Sequence, residues 1–238
     1  MKIRLLLLLC VATLKATAQD DPDSRFLPVT QPMLSVSAYP IDSGAPAVVL
    51  AEYGCTKVKG SNVDGFVIEY KVRRRIHLLK NASFDKATIS IDLYMDGDIQ
   101  EKISKLNAVT YLPGGDRITE VKLNTKTDVY TEKLSRNLSR KKFTLPGVKE
   151  GAIIEYEYIL TSGFLFNLRP WYFQGDIPCL WSEYRIVLPE FLNYIILPQG
   201  ILPFTIATTD KKPGSYDISF TKDVYVGKTM ENKMEFNC

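Results

Sequence analysis

KFTLPGVKEGAIIEYEYILTSGFLFNLRPWYFQGDIPCLWSEYRIVLPEF, Lys142 to Phe191, decides the fold class. Valine, isoleucine, tyrosine and phenylalanine recur at every second position, the period of a pleated strand whose side chains alternate between two faces. Pro146, Gly147, Gly151, Gly163, Pro170, Gly175, Pro178 and Pro189 punctuate the run with turns, so it reads as short strands separated by reversals. From Ala152 to Thr161 one face carries Ala152, Ile154, Tyr156, Tyr158 and Leu160, while Glu155 and Glu157 look the other way.

Working outward, Phe66 to Leu79 is the clearest alternation in the chain. Phe66, Ile68, Tyr70, Val72, Ile76 and Leu78 fall on one face, and Glu69, Lys71, Arg73, Arg75 and His77 on the other. Arg74 falls on the apolar side. A guanidinium there requires either a carboxylate, with Glu155, Glu157 and Glu183 as candidates, or a bulge that shifts the register. Gly65-Phe66-Val67-Ile68-Glu69-Tyr70 and Gly151-Ala152-Ile153-Ile154-Glu155-Tyr156 echo one another. Two such strands as neighbours would set Glu155 and Glu157 against Arg73 and Arg75 as cross-strand ion pairs.

Further strands are expected at Ala47 to Tyr53, ended by Gly54, and at Thr88 to Tyr94, Lys105 to Leu112, Ile118 to Leu123, Lys142 to Leu145 and Ser182 to Leu188. Asp96-Gly97 and Gly114-Gly115-Asp116 are hairpin turn signals. Glu101 to Lys105 is expected as a helical turn, and no segment sustains a helical apolar period. About ten short strands are too many for one open sheet of this length, which predicts an all-β, two-sheet, mainly antiparallel β-sandwich with little helix.

The N-terminus reads as an address. A basic head at Lys2 and Arg4, an apolar run from Leu5 to Leu14 and Ala16-Thr17-Ala18 before Gln19 form a secretory signal peptide over residues 1–18. The run is roughly ten residues against the ~20 that span a bilayer, so no integral membrane segment is expected after cleavage. Residues 19–46, rich in Asp, Ser and Pro, are expected as a linker and lead-in, 47–221 as the sandwich domain, and the polar stretch 222–238 as a poorly ordered or truncated tail. Lys2, Arg4 and Lys15 leave with the leader, after which 27 basic groups balance 27 acidic ones. A neutral mature chain offers no field for nucleic acid, and no nucleic-acid partner is expected. Cys55, Cys179 and Cys238 then remain, enough for one internal bridge; buried free thiols are the main reading and a Cys55 to Cys179 disulfide the alternative.

Little in the residues points to catalysis. His77 is the single histidine and lies on a polar strand face, and Cys179 sits between Pro178 and Leu180 with none of the glycine context of an exposed nucleophile. One histidine and no paired cysteines give no metal site, and no phosphate loop or dinucleotide fingerprint implies a cofactor. The aromatic group around Trp171, Tyr172, Phe173, Trp181 and Tyr184 is the one feature with binding chemistry. Trp171, Tyr172, Gln174, Trp181 and Glu183 are the candidate binding residues, for an extended peptide or a glycan, against the alternative that the rings fill the core.

KFTLPGVKEGAIIEYEYILTS, followed by FLFNLRPWYFQGDIPCLWSEYRIVLPEF, resembles the N-terminal domain of unknown function that precedes the transglutaminase-like core in exported multidomain proteins of Gram-negative bacteria. The resemblance runs from about Ala47 to Tyr194. The matching positions are structural ones: Pro146, Gly151, Glu155, Tyr156, Trp171, Gln174, Pro178, Trp181, Ser182, Glu183 and Tyr184. It implies a periplasmic or cell-surface, non-catalytic module whose partner is a protein or peptide, with a transglutaminase-like domain as the candidate. A glycan-binding module and a truncated remnant of such an enzyme are the alternatives. No catalytic residue carries over, because the Cys, His and Asp of that chemistry belong to the following domain.

Overall fold

The computed structural model describes residues 25–61, 65–114, 117–166, 168–192, 194–200, 202–212, 215–225 and 233–237. The signal peptide expected at 1–18, with Cys10, the turn residues Gly115 and Asp116, and Cys238 lie outside them. Strand accounts for 59% and helix for 7%, so the chain is all-β.

Eight strands form the larger sheet: β1 (Ala47–Ser61), β2 (Gly65–Leu78), β5 (Lys102–Leu112), β6 (Thr119–Lys122), β9 (Ala152–Ser162), β11 (Cys179–Pro189), β13 (Ile206–Lys212) and β14 (Ser215–Tyr225). Their spatial order is β13-β14-β11-β1-β2-β9-β5-β6, with β1 and β11 parallel and the other pairs antiparallel. A second sheet, in the order β4-β3-β8-β7, comprises β3 (Thr88–Asp96), β4 (Ile99–Gln100), β7 (Val129–Lys133) and β8 (Leu138–Thr144). The two sheets pack together as the expected sandwich. A small third sheet joins β10 (Trp171–Tyr172), β15 (Lys233–Asn237) and β12 (Ile195–Gln199).

Alternation builds the core. On the inner face of the large sheet Ile76 opposes Ile154 and Tyr70 opposes Leu160, and this apolar layer meets Ile91, Leu93, Phe143 and Leu145 of the second sheet. Phe143 meets Tyr156 edge to face at 6.4 Å. Complete burial of a side chain such as Phe143 contributes about 1.5–3 kcal/mol, and dozens of such positions offset the chain entropy lost on folding. The echoing strands are neighbours: β2 and β9 pair antiparallel, with Arg75 opposite Glu155 and Arg73 opposite Glu157. Each enters through a glycine with positive φ, Gly65 at 72° and Gly151 at 78°, a conformation that costs a Cβ-bearing residue.

Several expectations are corrected. Gly54 does not end β1, which continues to Ser61; the ring of Trp171 and that of Tyr184 lie directly on this glycine, so its missing side chain makes room for aromatics and not for a turn. Glu101 to Lys105 is not a helical turn: Lys102–Leu112 is strand, with a register shift between Ile103 and Lys105. The bulge weighed for Arg74 lies on the neighbouring strand, between Val49 and Ala51. β14 runs through Thr221 to Tyr225, and β15 follows at Lys233–Asn237. The Asp96-Gly97 signal does form a tight hairpin, Asp96 pairing with Ile99.

The lead-in lies over the outer face of the large sheet. Phe26 is buried against Ala51 and Tyr53, the guanidinium of Arg73 stands 4.3 Å from its ring centroid, and Arg75 Nη1 donates to the Leu27 carbonyl at 2.8 Å. Tyr39 and His77 share a hydrogen bond at Nδ1, 2.9 Å.

Candidate functional site

Between the sheets, on the inner face of β2 and β9, is a cavity of about 680 Å3. That size is within the roughly 300–1,000 Å3 of small-ligand pockets. Its aromatic lining includes Tyr70, Tyr94, Tyr156, Tyr158, Tyr184 and Trp171. Strand parity explains the set: Tyr70, Tyr156 and Tyr158 share the inner face with Val72 and Leu160, while Tyr184 enters from β11 opposite Gly54. Trp171 stacks on Tyr184 with ring centroids 5.1 Å apart and planes 10° from parallel, and its Nε1 donates to Ser182 Oγ at 3.2 Å. Burial pushes the phenols of Tyr70, Tyr158 and Tyr184 above their ordinary range, so all three stay neutral hydroxyls at any physiological pH.

Two ion pairs stand among these rings. Glu52 is 1% exposed; its Oε2 accepts from Arg74 Nε at 2.6 Å and its Oε1 from Ser182 Oγ at 2.6 Å. Arg74 therefore has a carboxylate partner, as its position on the apolar face required, but the partner is Glu52 and not Glu155, Glu157 or Glu183. The pair, with Tyr156, also lines a second cavity of about 340 Å3, so it forms a polar partition within the sandwich. The other pair is Arg169 with Glu101: Arg169 bonds both carboxylate oxygens, donates through Nη2 to the Asp92 carbonyl at 2.6 Å, and offers its backbone N–H to Tyr70 Oη at 3.2 Å.

Glu155 and Glu157 act outside this cavity. Glu155 lies on the outer face and holds Arg73 and Arg75 together, through Arg73 Nε at 2.9 Å and Arg75 Nε at 2.6 Å. Glu157 lies beside Lys105 at 2.5 Å and Lys71 at 3.9 Å. Burial alone would raise its carboxyl, but the bond from Lys105 and the charge of Lys71 outweigh that and hold it below its usual range.

The candidate binding residues do not form one surface. Trp171 and the exposed Tyr172 line the cavity, and Gln174 is buried. Trp181 and Glu183 lie on the opposite side of the sheet, because Ser182 and Tyr184 point inward and their odd-numbered neighbours outward. There the Arg25 guanidinium covers the Trp181 ring at 3.5 Å, and Trp181 Nε1 approaches Glu183 Oε2 at 3.4 Å. Glu52, Glu101, Arg169 and Tyr94 were not singled out from the sequence. Glu52 does leave a signal, as the lone charge in the apolar run AVVLAEY; Arg169 and Glu101 leave none, since both sit in irregular segments.

The described thiols and the histidine are dispersed. Cys55 and Cys179 are free; Cys179 pairs in register with Val49, six residues from Cys55 along β1, about 20 Å at strand rise and far beyond disulfide reach. Burial raises both thiols above their ordinary range. His77 is buried on the outer side, with its proton affinity lowered by burial, whereas Cys179 faces inward. Among the described residues no cluster of His, Cys, Asp and Glu has metal-binding geometry, and no helix is long and apolar enough to cross a membrane.

No family model matches the chain, and no curated protein matches it. Its fold is similar to that of a Parabacteroides distasonis protein provisionally described as a protease, with TM-score 0.64 and 15% identity over 81% of this chain and 40% of that one. This chain thus spans about two fifths of that structure's length. An M1 zinc metallopeptidase from Deinococcus radiodurans is more distantly similar, with TM-score 0.38 and 13% identity over 85% of this chain and 45% of that one. The first of these likenesses concerns the fold, an all-β two-sheet sandwich.

Proposed function

We propose that this chain is an exported, non-catalytic β-sandwich module accessory to a transglutaminase-like protein, in which it holds or orients a partner domain or peptide. The observation that supports this reading is the fold shared with two fifths of a longer protein provisionally described as a protease. The dispersal of Cys55, Cys179 and His77 supports it, because thiol chemistry needs the base within hydrogen-bond reach of the sulfur. A glycan reading loses its main support, since Trp171 and Trp181 are on opposite faces and present no row of rings to a sugar chain.

The reading is tested by assaying the chain from Gln19 onward on peptide and isopeptide substrates, beside its Cys55→Ser and Cys179→Ser variants, and by fractionating cells that carry the full chain. Accumulation outside the cytoplasm with no thiol-dependent turnover is expected. Turnover abolished by Cys179→Ser, or retention in the cytoplasm, would sink it.

A further inference from the structure

The geometry points to the inter-sheet cavity as a binding site for an uncharged peptide segment that inserts an aromatic side chain. The inference deepens the accessory reading and rests on it only for the expectation that the partner is a polypeptide. Charge is the first argument. The charged side chains on the cavity's inner lining are Arg74, Arg169, Glu52, Glu101 and Asp96, and four of them are already neutralised as the pairs Arg74 with Glu52 and Arg169 with Glu101. A phosphate or an acidic group would meet no net positive field, and a cation no unpaired carboxylate among these four.

Surface chemistry is the second. Phenol rings and the Trp171 indole form walls that favour edge and offset contacts with another ring, worth about 0.5–1.5 kcal/mol each beyond burial. Val72, Leu160, Phe164 and Leu168 add aliphatic and aromatic area to these walls. Donors are nonetheless present. A guanidinium carries five N–H groups, and the bonds described use only some of them: Arg74 bonds Glu52 and Tyr156, and Arg169 bonds Glu101 and the Asp92 carbonyl. Remaining N–H groups suit a backbone carbonyl, which needs a donor and brings no charge. Tyr94, 49% exposed at the rim, lies 5.5 Å from the Arg169 guanidinium and gives an entering ring its first contact.

The two tryptophans make the test direct, since Trp171 lines the cavity and Trp181 lies outside it. In the Trp181→Phe protein Trp171 is the only indole. Titration with acetyl-Ala-Phe-Ala-amide is expected to change its emission saturably, with acetyl-Ala-Ala-Ala-amide, cellotriose and chitotriose at least tenfold weaker. The Trp171→Phe protein, reporting from Trp181, is expected to show no change. Val72→Phe, which fills the cavity, is expected to weaken the phenylalanine peptide at least tenfold, and Tyr94→Ala, at an exposed position that keeps the fold secure, at least fivefold. No response to any probe up to about 10 mM (a binding free energy weaker than about 3 kcal/mol), equal or tighter binding of a sugar, or undiminished binding by both variants overturns the proposal. None of these outcomes bears on export or thiol turnover, so this site and the accessory reading fail separately.

Discussion

Glu155 and Glu157 are two residues apart on the same face of β9, yet truncating them should have very different effects. Arg75 is 3% exposed and is held by Glu155 Oε2 at 2.6 Å, and Arg73 bonds the other oxygen through Nε at 2.9 Å and Nη2 at 2.7 Å. Phe26 and the Leu27 carbonyl close over this group from the lead-in. Glu155→Ala leaves Arg75 charged, buried and with one carbonyl in place of a carboxylate, a mechanism that costs about 3–5 kcal/mol. Glu157 instead meets Lys105, whose side chain is 50% exposed, and Lys71 at 3.9 Å. Pairs so close to water contribute about 0–1 kcal/mol. With a urea dependence of about 2–3 kcal/mol per molar, the upper part of the range because the slope grows with chain size, Glu155→Ala should lower the unfolding midpoint by roughly 1–2.5 M and Glu157→Ala by at most about 0.5 M. Equilibrium urea unfolding followed by tryptophan emission and far-ultraviolet dichroism measures both. Equal shifts, or a larger shift for Glu157→Ala, would refute the assignment of Glu155 as the buried keystone of the outer face.

Three other outcomes are expected. Burial holds the proton affinity of His77 below that of the unfolded chain, so its contribution to stability is complete above about pH 6.5 and declines as pH falls through the window beneath it; His77→Gln should remove the slope between pH 7 and 5 in thermal unfolding, and an unchanged slope would contradict the sign. Gly54→Ala would put a Cβ 2.6 Å from Trp171 Cε3 and 2.7 Å from Tyr184 Cδ2, so it should destabilise by about 1–3 kcal/mol and shift Trp171 emission in the Trp181→Phe background. Neither Cys55 nor Cys179 has a disulfide partner, so reductant should leave the melting temperature unchanged, and Cys179 should resist thiol reagents until the chain unfolds.

Much of the large sheet can be read from the residues because β2 and β9 each set an apolar inner face against a charged outer one, which stamps a period of two on each, and because their glycines and opposed charges mark them as neighbours. The same alternation in Trp181 to Leu188 sets Trp181 with Glu183 and Arg185, away from Tyr184, although the aromatics are close in sequence. Other features depend on partners far along the chain. Gly54 looks like a stop until Trp171 and Tyr184, more than a hundred residues later, are seen resting on it. The Glu52 to Arg74 pairing requires the β1 bulge between Val49 and Ala51, which moves the even-numbered residues after it onto the inner face. At the edge, Ile206 to Asp210 is exposed on both faces, so β13 carries no burial pattern to read. Arg169 and Glu101 meet only because an irregular loop folds back beneath β3, and local propensity holds no trace of that contact.

The proposal is that a partner enters the inter-sheet cavity and not the part of the outer face around Ala51, Tyr53 and Arg73 that the lead-in covers. Backbone amide shifts of the isotope-labelled chain, followed during titration with acetyl-Ala-Phe-Ala-amide, test it most directly. The account predicts saturable changes concentrated at Val72, Tyr94, Tyr158 and Arg169, with Tyr53, Arg73 and Trp181 unmoved. Changes centred on Tyr53, Arg73 and Trp181, or none at all, would contradict it.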